Sequence, residues 1–599
     1  MAGKVLDIDS VISPDRMGTE IANYWVSWNV LRQPKINDWL EVRNYIYATD
    51  TTKTTNSKLP WKNKTTIPKM CQVRDNLASN YTTTLFPKRK WLRWDADDRE
   101  SATKDKKDAI SSYMCYSIAQ RSFKEEMNKC VLDYIDYGNA FAMPEWEDGR
   151  VELKDKTQVG YVGPTMRRIN PLDITFNPIA PSFEKSPKII RSVISLGEVK
   201  EFLESLSSDD TRESYQELYK YLKDIRSEVQ GFGGDLTTKD SFYNVDGFTS
   251  FQSYLGSNYC ELLTFYGDIY DADHDKFLKN QIITIVDRHK VLSVRDNPSY
   301  FGTAPIYHVG WRKRQDNLWA MGPLDNLVGL QYRIDHIENL KADVFDLITF
   351  PPLKIKGHVE EFEWGPFARI YVGDGDGDVE MMAPPFQVLQ ANIEIQNLAA
   401  LMEEMAGSPK EAMGFRTPGE KTKYEVQRLE NAASRIFQNK IAQFEDQFVE
   451  PILNGMLECA RRKVTGDTLV KYFDDEYKIN VFLDLSPDDI TGNGRIKPYA
   501  ARHFAEQAEL IQNLTALSGS PLWQTVSPHF SSIKLAEMFE DTFNLGDYNM
   551  VVPYVAVSEA ADLQRMSQSQ EEAVTMEGMA PTGMTPEDSD QSFGTQNGY

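Results

Sequence analysis

PLDNLVGLQYRIDHIENLKADVFDLITFPPLKIKG, residues 323–357, carries Leu327, Leu330, Ile334, Ile337, Lys341, Val344 and Ile348 at alternating spacings of three and four. That period places all seven on one stripe of a long helix over 323–349. Pro351 and Pro352 end it, because proline lacks an N–H and its ring disfavours a helical residue before it. The segment that follows, PLKIKGHVEEFEWGPFARIYVGDGDGDVEMMAPP, alternates like short strands. From about Val388 to Ala406 a helical pattern returns. The middle of the chain thus reads as a helix, a small β module and a returning helix.

Downstream lies the longest periodic segment, Thr422 to Lys463, with Val426, Leu429, Ala433, Ile436, Phe437, Ile441, Phe444, Phe448, Ile452 and Met456 on a helical face. Thr422 and Glu425 form a capping-box pattern at its start, and Pro451 predicts a kink within it. GFRTPGEKT, Gly414 to Thr422, comes close to the phosphate-loop pattern G-x-x-x-x-G-K-[ST]. It fails because Glu420 stands between Gly419 and Lys421, where a carboxylate repels phosphate, and because helix-like ALMEEMAG precedes it instead of a buried strand. A turn feeding a capped helix accounts for the same residues. Beyond it, EYKINVFLDL predicts a strand pair, helices are expected at about 497–518 and 530–543, and the chain from Ser567 is aperiodic and reads as a flexible tail.

Upstream, residues 17–48 predict a helix with Ile21, Trp25, Trp28 and Leu31 on one stripe. Further helices are expected over 67–86, 103–136 and 197–229, and KWLRWDADD looks extended. YGNAFAMPEW is a turn leading into a strand, and MRRINPLDITFNP and KIIRSVISL are β-rich. Residues 230–258, rich in Gly, Ser, Thr and Asp, predict a loop. CELLTFYGDIYD, KFLKNQIITIVD and HKVLSVRD predict a β-meander with turns near Asp271–Asp275 and Arg288.

The chain has 599 residues, long enough for several domains or subdomains. Its formal net charge is −23, which argues against a protein that coats nucleic acid by neutralising phosphates, though not against one that nucleic acid slides past. Five scattered cysteines without a C-x-x-C predict neither a disulfide framework nor a zinc site. MAGKVLDIDSVISPDR lacks an apolar run, so no signal peptide is expected, and no apolar run is long enough to predict a membrane span. GDGDGDVE, Gly373 to Glu380, resembles the start of a calcium loop, but Val379 stands where that loop needs glycine, and a hairpin tip explains the glycines equally. The seven histidines show no metal-ligand spacing; His308 and His336 read as packed or capping residues. Nothing nominates a catalytic residue, a metal or a cofactor, and no enzyme is expected.

Taken in order, RDNLASNYTTTLFP with KWLRW, VLDYIDYGNAFAMPEW, INPLDITFNP, the stretch from PIYHVGWRKRQDNLWAMGPLDNL to PPLKIKG, and GEKTKYEVQRLENAASRIFQNKIAQFEDQFVEPIL resemble the portal (head-to-tail connector) proteins of tailed bacteriophages, especially short-tailed ones. The resemblance spans about residues 20–545 and implies an α+β portal fold assembled as a ring of about twelve subunits at one capsid vertex. It implies an N-terminal wing region over 1–322, stem helices over 323–349 and 388–406, and a β clip over 350–387 between them. It further implies a channel-lining tunnel loop over 407–421, a long kinked helix over 422–463, wing strands over 464–495, a helical crown over 496–545 and a C-terminal tail over 546–599. Lys410, Arg416, Lys421 and Lys423 would then face the DNA channel. The implied partners are sister subunits, a terminase motor, the major capsid protein or scaffold, a tail adaptor and the double-stranded DNA in transit, with no membrane. The implied location is the virion, and the host cytoplasm during assembly. Two other readings are a phosphate-loop packaging NTPase using Lys421, and another virion structural protein such as a tail adaptor or scaffold.

Overall fold

The computed structural model describes residues 16–86, 91–120, 123–149, 151–153, 156–158, 160–205, 216, 219–223, 234–245, 259–271, 276–288, 290–356, 378–382, 390–406, 439–464, 468–474 and 479–498. The chain divides into two units, Met1–His503 and Phe504–Tyr599, and every described residue lies in the first. The expected crown helices, the tail, the capping box at Thr422, the near-phosphate loop and the GDGDG turn preceding Asp378 fall outside the described residues.

The described part mixes helix and antiparallel sheet. Its helices are α1 (Arg16–Ile46), α2 (Lys69–Leu85), α3 (Lys104–Gln120), α4 (Phe123–Asp136), α5 (Leu196–Ser205), α6 (Gly234–Val245), α7 (Val328–Thr349), α8 (Asn392–Met405) and α9 (Glu450–Lys463). The expected single helix over 103–136 is therefore two, α3 and α4, and the loop expected over 230–258 contains α6, which buries Lys239 and Phe242. Local composition pointed to a loop there, but tertiary contact overrides so weak a preference.

Strand β1 (Leu92–Ala96) pairs with β16 (Gly494–Pro498) across most of the chain. β2 (Asn139–Asp148) sits between β5 (Val162–Ile169) and β11 (Tyr307–Gly310), while β3 (Val151–Leu153) and β4 (Lys156–Gln158) form a hairpin. β6 (Ile174–Phe176), β7 (Lys188–Ser195), β8 (Tyr259–Asp271), β9 (Lys276–Val286) and β10 (Lys290–Asp296) form an antiparallel sheet in the order β10-β9-β8-β7-β6. This is the expected meander, extended by two upstream strands. The turn after β9 places Asp287 and Arg288 at positive φ. Two further hairpins are β12 (Leu353–Lys356) with β13 (Asp378–Met381), and β14 (Thr468–Asp474) with β15 (Ile479–Leu485). The last corrects the pair expected within EYKINVFLDL: its Ile479–Leu485 is one strand, and the partner, Thr468–Asp474, comes from upstream.

Period-two alternation sends the side chains of the five-stranded sheet to two cores. Ile189, Leu263, Phe265, Ile283 and Ile285 pack on Ile21 and Trp25 of α1. Ile190, Tyr266 and Ile282 join Trp39, Phe141, Phe176 and Trp319 on the other side. On α1 the stripe shifts from the expected one. Leu31 is exposed, and its neighbour Arg32 is buried instead, donating to the carbonyls of Pro171 (2.7 Å), Ile174 (2.5 Å) and Leu172 (2.8 Å). A guanidinium has five donors in a fork, so it satisfies three converging carbonyls that leucine would leave bare.

The largest core gathers α2, α4, β2, the base of α7 and the helical residues 439–463. At its centre the rings of Tyr134, Trp311 and Phe444 lie 5.0–5.1 Å from Tyr134 outward, with Tyr81 against the same group. Bidentate ion pairs tie α4 to its neighbours: Arg74 to Asp136 (2.6 and 2.8 Å) and Arg168 to Asp133 (2.5 and 2.7 Å). The kink expected at Pro451 takes the form of a π turn over Glu445–Val449, one turn earlier. The ring of a proline clashes with the carbonyl four residues back, and a wider turn relieves that contact.

Gly138, between α4 and β2, has φ of +69°, and a Cβ there would lie 2.4 Å from the backbone nitrogen of Gly322. Neither the left-handed backbone nor the close approach tolerates a side chain. Gly138→Ala is expected to lower unfolding free energy by about 2–4 kcal/mol, from backbone strain plus overpacking, measured by urea titration; a change below about 0.5 kcal/mol would refute the assignment.

Candidate assembly surface on the two-helix projection

α7 and α8 run antiparallel, with the β12–β13 hairpin between them in the chain; Lys341 Nζ on α7 reaches Asn392 Oδ1 at the start of α8 (2.9 Å). At the base, Leu327 and Ile334 of the region around α7 and Leu398 and Met402 of α8 are buried in the main core, with Leu330 and Ile337 packed on its edge. The stripe expected along 323–349 therefore holds over its first half. It does not describe what else the helix buries, because the other buried residues of α7 are polar: Gln331, Asp335 and Asn339.

These three, with Asp343, recur every fourth residue and face the irregular backbone of residues 62–68 and the first turn of α2, rather than an apolar layer. Gln331 Oε1 accepts from Met70 N (3.1 Å) and its amide donates to Ile67 O (2.5 Å). Asp335 accepts from Ile67 N (3.0 Å), Thr66 Oγ1 (2.8 Å) and Gln331 Nε2 (2.9 Å). Asn339 accepts from Thr65 N (2.8 Å) and donates to Thr65 O (2.7 Å). Asp343 accepts from Asn63 N (3.0 Å) and Lys62 N (3.1 Å). Irregular backbone has few regular partners, and leaving its N–H groups buried without them is costly. A side chain with both donor and acceptor, or a carboxylate, is the residue type that fits. Lys69, at the end of the stretch, forms a buried ion pair with Glu403 of α8, so both helices are fixed to the same strip.

Depth separates the two carboxylates. Burial pushes Asp335 up to about 6, with its three donors acting against that rise. Asp343 lies nearer solvent; slight burial raises it, but the amides of Asn63 and Lys62 outweigh this and hold it below the usual range.

Away from the base the projection is apolar on the outside. Phe345 is 59% exposed and Ile393 67% exposed, and Leu340, Leu347, Leu401 and Met405 also stand in solvent. On the hairpin, Ile355 and Met381 are exposed too. More than half of the large exposed apolar side chains of the described residues fall between 340 and 405. Single exposed apolar residues are ordinary, whereas a concentration on one element is an interaction surface.

The candidate channel residues Lys410, Arg416, Lys421 and Lys423 lie outside the described residues, so nothing brings them together here. Asp378 and Glu380 of GDGDGDVE are strand residues of β13. Among the described residues no group of three or more His, Cys, Asp or Glu is placed to hold a metal, and no helix is long and apolar enough to cross a membrane. His308 is packed as expected: its ring stacks on Phe141 (4.6 Å, 15°), and Nε2 lies 3.0 Å from Asn139 Oδ1. That oxygen already accepts from Ala320 N, so Nε2 carries the proton. Burial, with Lys313 and Lys188 nearby, pushes the imidazole down to about 3 and keeps it neutral. His336 lies against Trp61 (4.9 Å between rings). No protein-family model matches the chain, and no curated protein matches it.

Polar spacing i, i+4, i+8, i+12 in Gln331, Asp335, Asn339 and Asp343 was visible in the sequence but was not read as a buried face. The raised Asp335 carboxyl gives it a signature. Its contribution to stability is present below about 3.8 and is lost as pH rises through about 6. Asp335→Asn retains an acceptor for Ile67 N and removes this titration. The variant should gain stability relative to the parent progressively between these pH values, reaching on the order of 2–3 kcal/mol above about 6, read as the difference between two urea-unfolding pH profiles. Parallel profiles would refute the assignment.

Proposed function

We propose that this chain is a portal subunit: a ring-forming, non-enzymatic DNA conduit at one capsid vertex, used for genome packaging, tail attachment and DNA ejection. The observation that carries the reading is the two-helix projection, rigidly tied at its base and apolar on its outer faces. Two helices that already pack on each other leave their remaining apolar faces to a neighbour. A head-to-tail contact whose rotation closes covers every such face in a ring, without leaving an open end. The order of elements, helix, β hairpin and returning helix, agrees with a stem–clip–stem arrangement. The acidic balance suits a passage that must release DNA, since a negative wall repels phosphate.

In this reading the β12–β13 hairpin meets the terminase motor or a tail adaptor, the wing region meets the capsid or scaffold, and about twelve copies complete the ring. Lys410, Arg416, Lys421 and Lys423 touch the duplex in transit. The virion is the final location, reached from the host cytoplasm.

Negative-stain imaging of the purified chain should show rings with a central channel of DNA width; monomers, or another symmetry without a channel, would overturn the reading. Phe345→Glu with Ile393→Glu should abolish the rings while changing the stability of the isolated chain by less than about 0.5 kcal/mol, since both side chains are exposed in it. Rings that persist at full yield would remove the projection from the interface. Arg416→Glu with Lys421→Glu should alter DNA packaging or retention while ring assembly continues; unchanged packaging would remove these residues from the channel.

A further inference from the structure

A second cationic surface is built entirely from described residues, none of them in 407–421. The loop after β11 reads Trp311-Arg312-Lys313-Arg314-Gln315, and everything from Arg312 to Gln315 is exposed. Its position is fixed from several directions. Trp311 N donates to Gly138 O (2.9 Å), and Arg312 and Met321 exchange two backbone hydrogen bonds (3.1 and 3.0 Å). From the helical residues that precede the π turn, Lys440 donates to Trp311 O and Gln443 to Gly310 O (3.0 Å), while Lys313 Nζ donates to Gln447 Oε1 (2.6 Å).

Arg312, Lys313 and Lys440 therefore share one place, drawn from segments more than a hundred residues apart, with Arg314 next in the same exposed loop. Lys440 and Lys313 find only neutral oxygens, and none of the four forms an ion pair with a carboxylate among the described residues. Arg312 and Lys313 stand close enough to Lys440 that, after burial, they are the next causes pushing its ammonium down. Asp316, exposed at the end of the same loop, is one carboxylate against four cations and pairs with none of them, and grouping like charges so weakly countered is unfavourable in any protein. It is the more unexpected in a chain of net charge −23, where carboxylates outnumber basic groups. An external anion is what such a group lacks. The exposed residues here are all polar, whereas protein interfaces have an apolar core and phosphate-contacting surfaces do not need one. Guanidinium groups pair with phosphate oxygens through two parallel N–H bonds.

We propose that Arg312, Lys313, Arg314 and Lys440 form a contact surface for the phosphate backbone of double-stranded DNA, made of residues other than the proposed channel residues. The choice of DNA as the anion rests on the portal reading above; the presence of the cationic surface does not.

The test uses the full chain and a random-sequence duplex of about 30 base pairs, with binding followed by fluorescence anisotropy over a range of salt concentrations. Arg312→Glu with Arg314→Glu is the variant, because both side chains are solvent-exposed and neither supports the fold. The expected result is a loss of affinity of about tenfold or more near physiological salt, and a salt-dependence slope smaller by about 2, since each lost phosphate contact removes roughly one released counterion. Unchanged affinity and slope, or no duplex binding by the parent chain, would overturn the proposal. So would a variant that keeps its DNA affinity but changes its sedimentation, because the surface would then join copies of the chain. Imaging the same samples keeps the two ideas apart: rings with unchanged DNA binding sink this surface alone, and weakened DNA binding without rings sinks the portal reading alone.

Discussion

Residues 62–68 and the start of α2 cross the base of the projection as backbone with little regular pairing of its own, and the rest of the arrangement depends on how that backbone is satisfied. Gln331, Asp335, Asn339 and Asp343 meet it one helical turn apart, each pairing with main-chain groups. With an apolar residue in place of Gln331, the buried Met70 N–H would go unpaired at about 1–3 kcal/mol, and the partly buried N–H groups of Asn63 and Ile67 would lose their partners too. The polar face therefore specifies register as well as stability, because a slip of one residue along α7 would turn every one of these groups away. Lys69 and Glu403 carry the same constraint to α8. Two helices that would otherwise pivot on a few apolar contacts are held to the body over Gln331–Asp343 of α7 and at Glu403 of α8.

A second coupling runs through the aromatic centre. Tyr134 of α4, Trp311 of the cationic loop and Phe444 of the helical segment 439–463 pack together, so that segment is fixed to both. The π turn at Glu445–Val449 lies just beyond Phe444 and accommodates Pro451 without breaking the helical course. Gln443 just before it and Gln447 within it hold the loop that presents Arg312 and Arg314. The placement of the exposed cations is thus a consequence of core packing, and a long loop in isolation would not keep them together against their mutual repulsion.

The helices over 323–349 and 388–406 and the β-meander were legible because their periods, 3.6 and 2, are written in residue spacing. Pro351 and Pro352 gave the end of α7 within two residues. Other features were not legible, each for a reason. α6 has the composition of a loop and exists because Phe242 and Lys239 are buried against the sheet side of α1. Arg32 replaces Leu31 on the buried face because three carbonyls converge there. Thr468–Asp474 pairs with Ile479–Leu485, and a strand partner is a property of two segments that neither shows alone. The candidate channel residues remain a reading of sequence.

By itself the sequence determined the order of elements, the mixed helical and antiparallel character, the acidic balance and the apolar stripe that roots α7, since each follows from local period or from composition. Only the tertiary structure decided which polar residues are buried, where α6 forms, that the outer faces of the projection stay uncovered within one chain, and that Lys440 joins Arg312 and Arg314. The physical reason is the same throughout. Hydrogen-bond satisfaction, burial and the energy of grouped charges depend on which distant segments meet, and spacing along the chain carries no record of that.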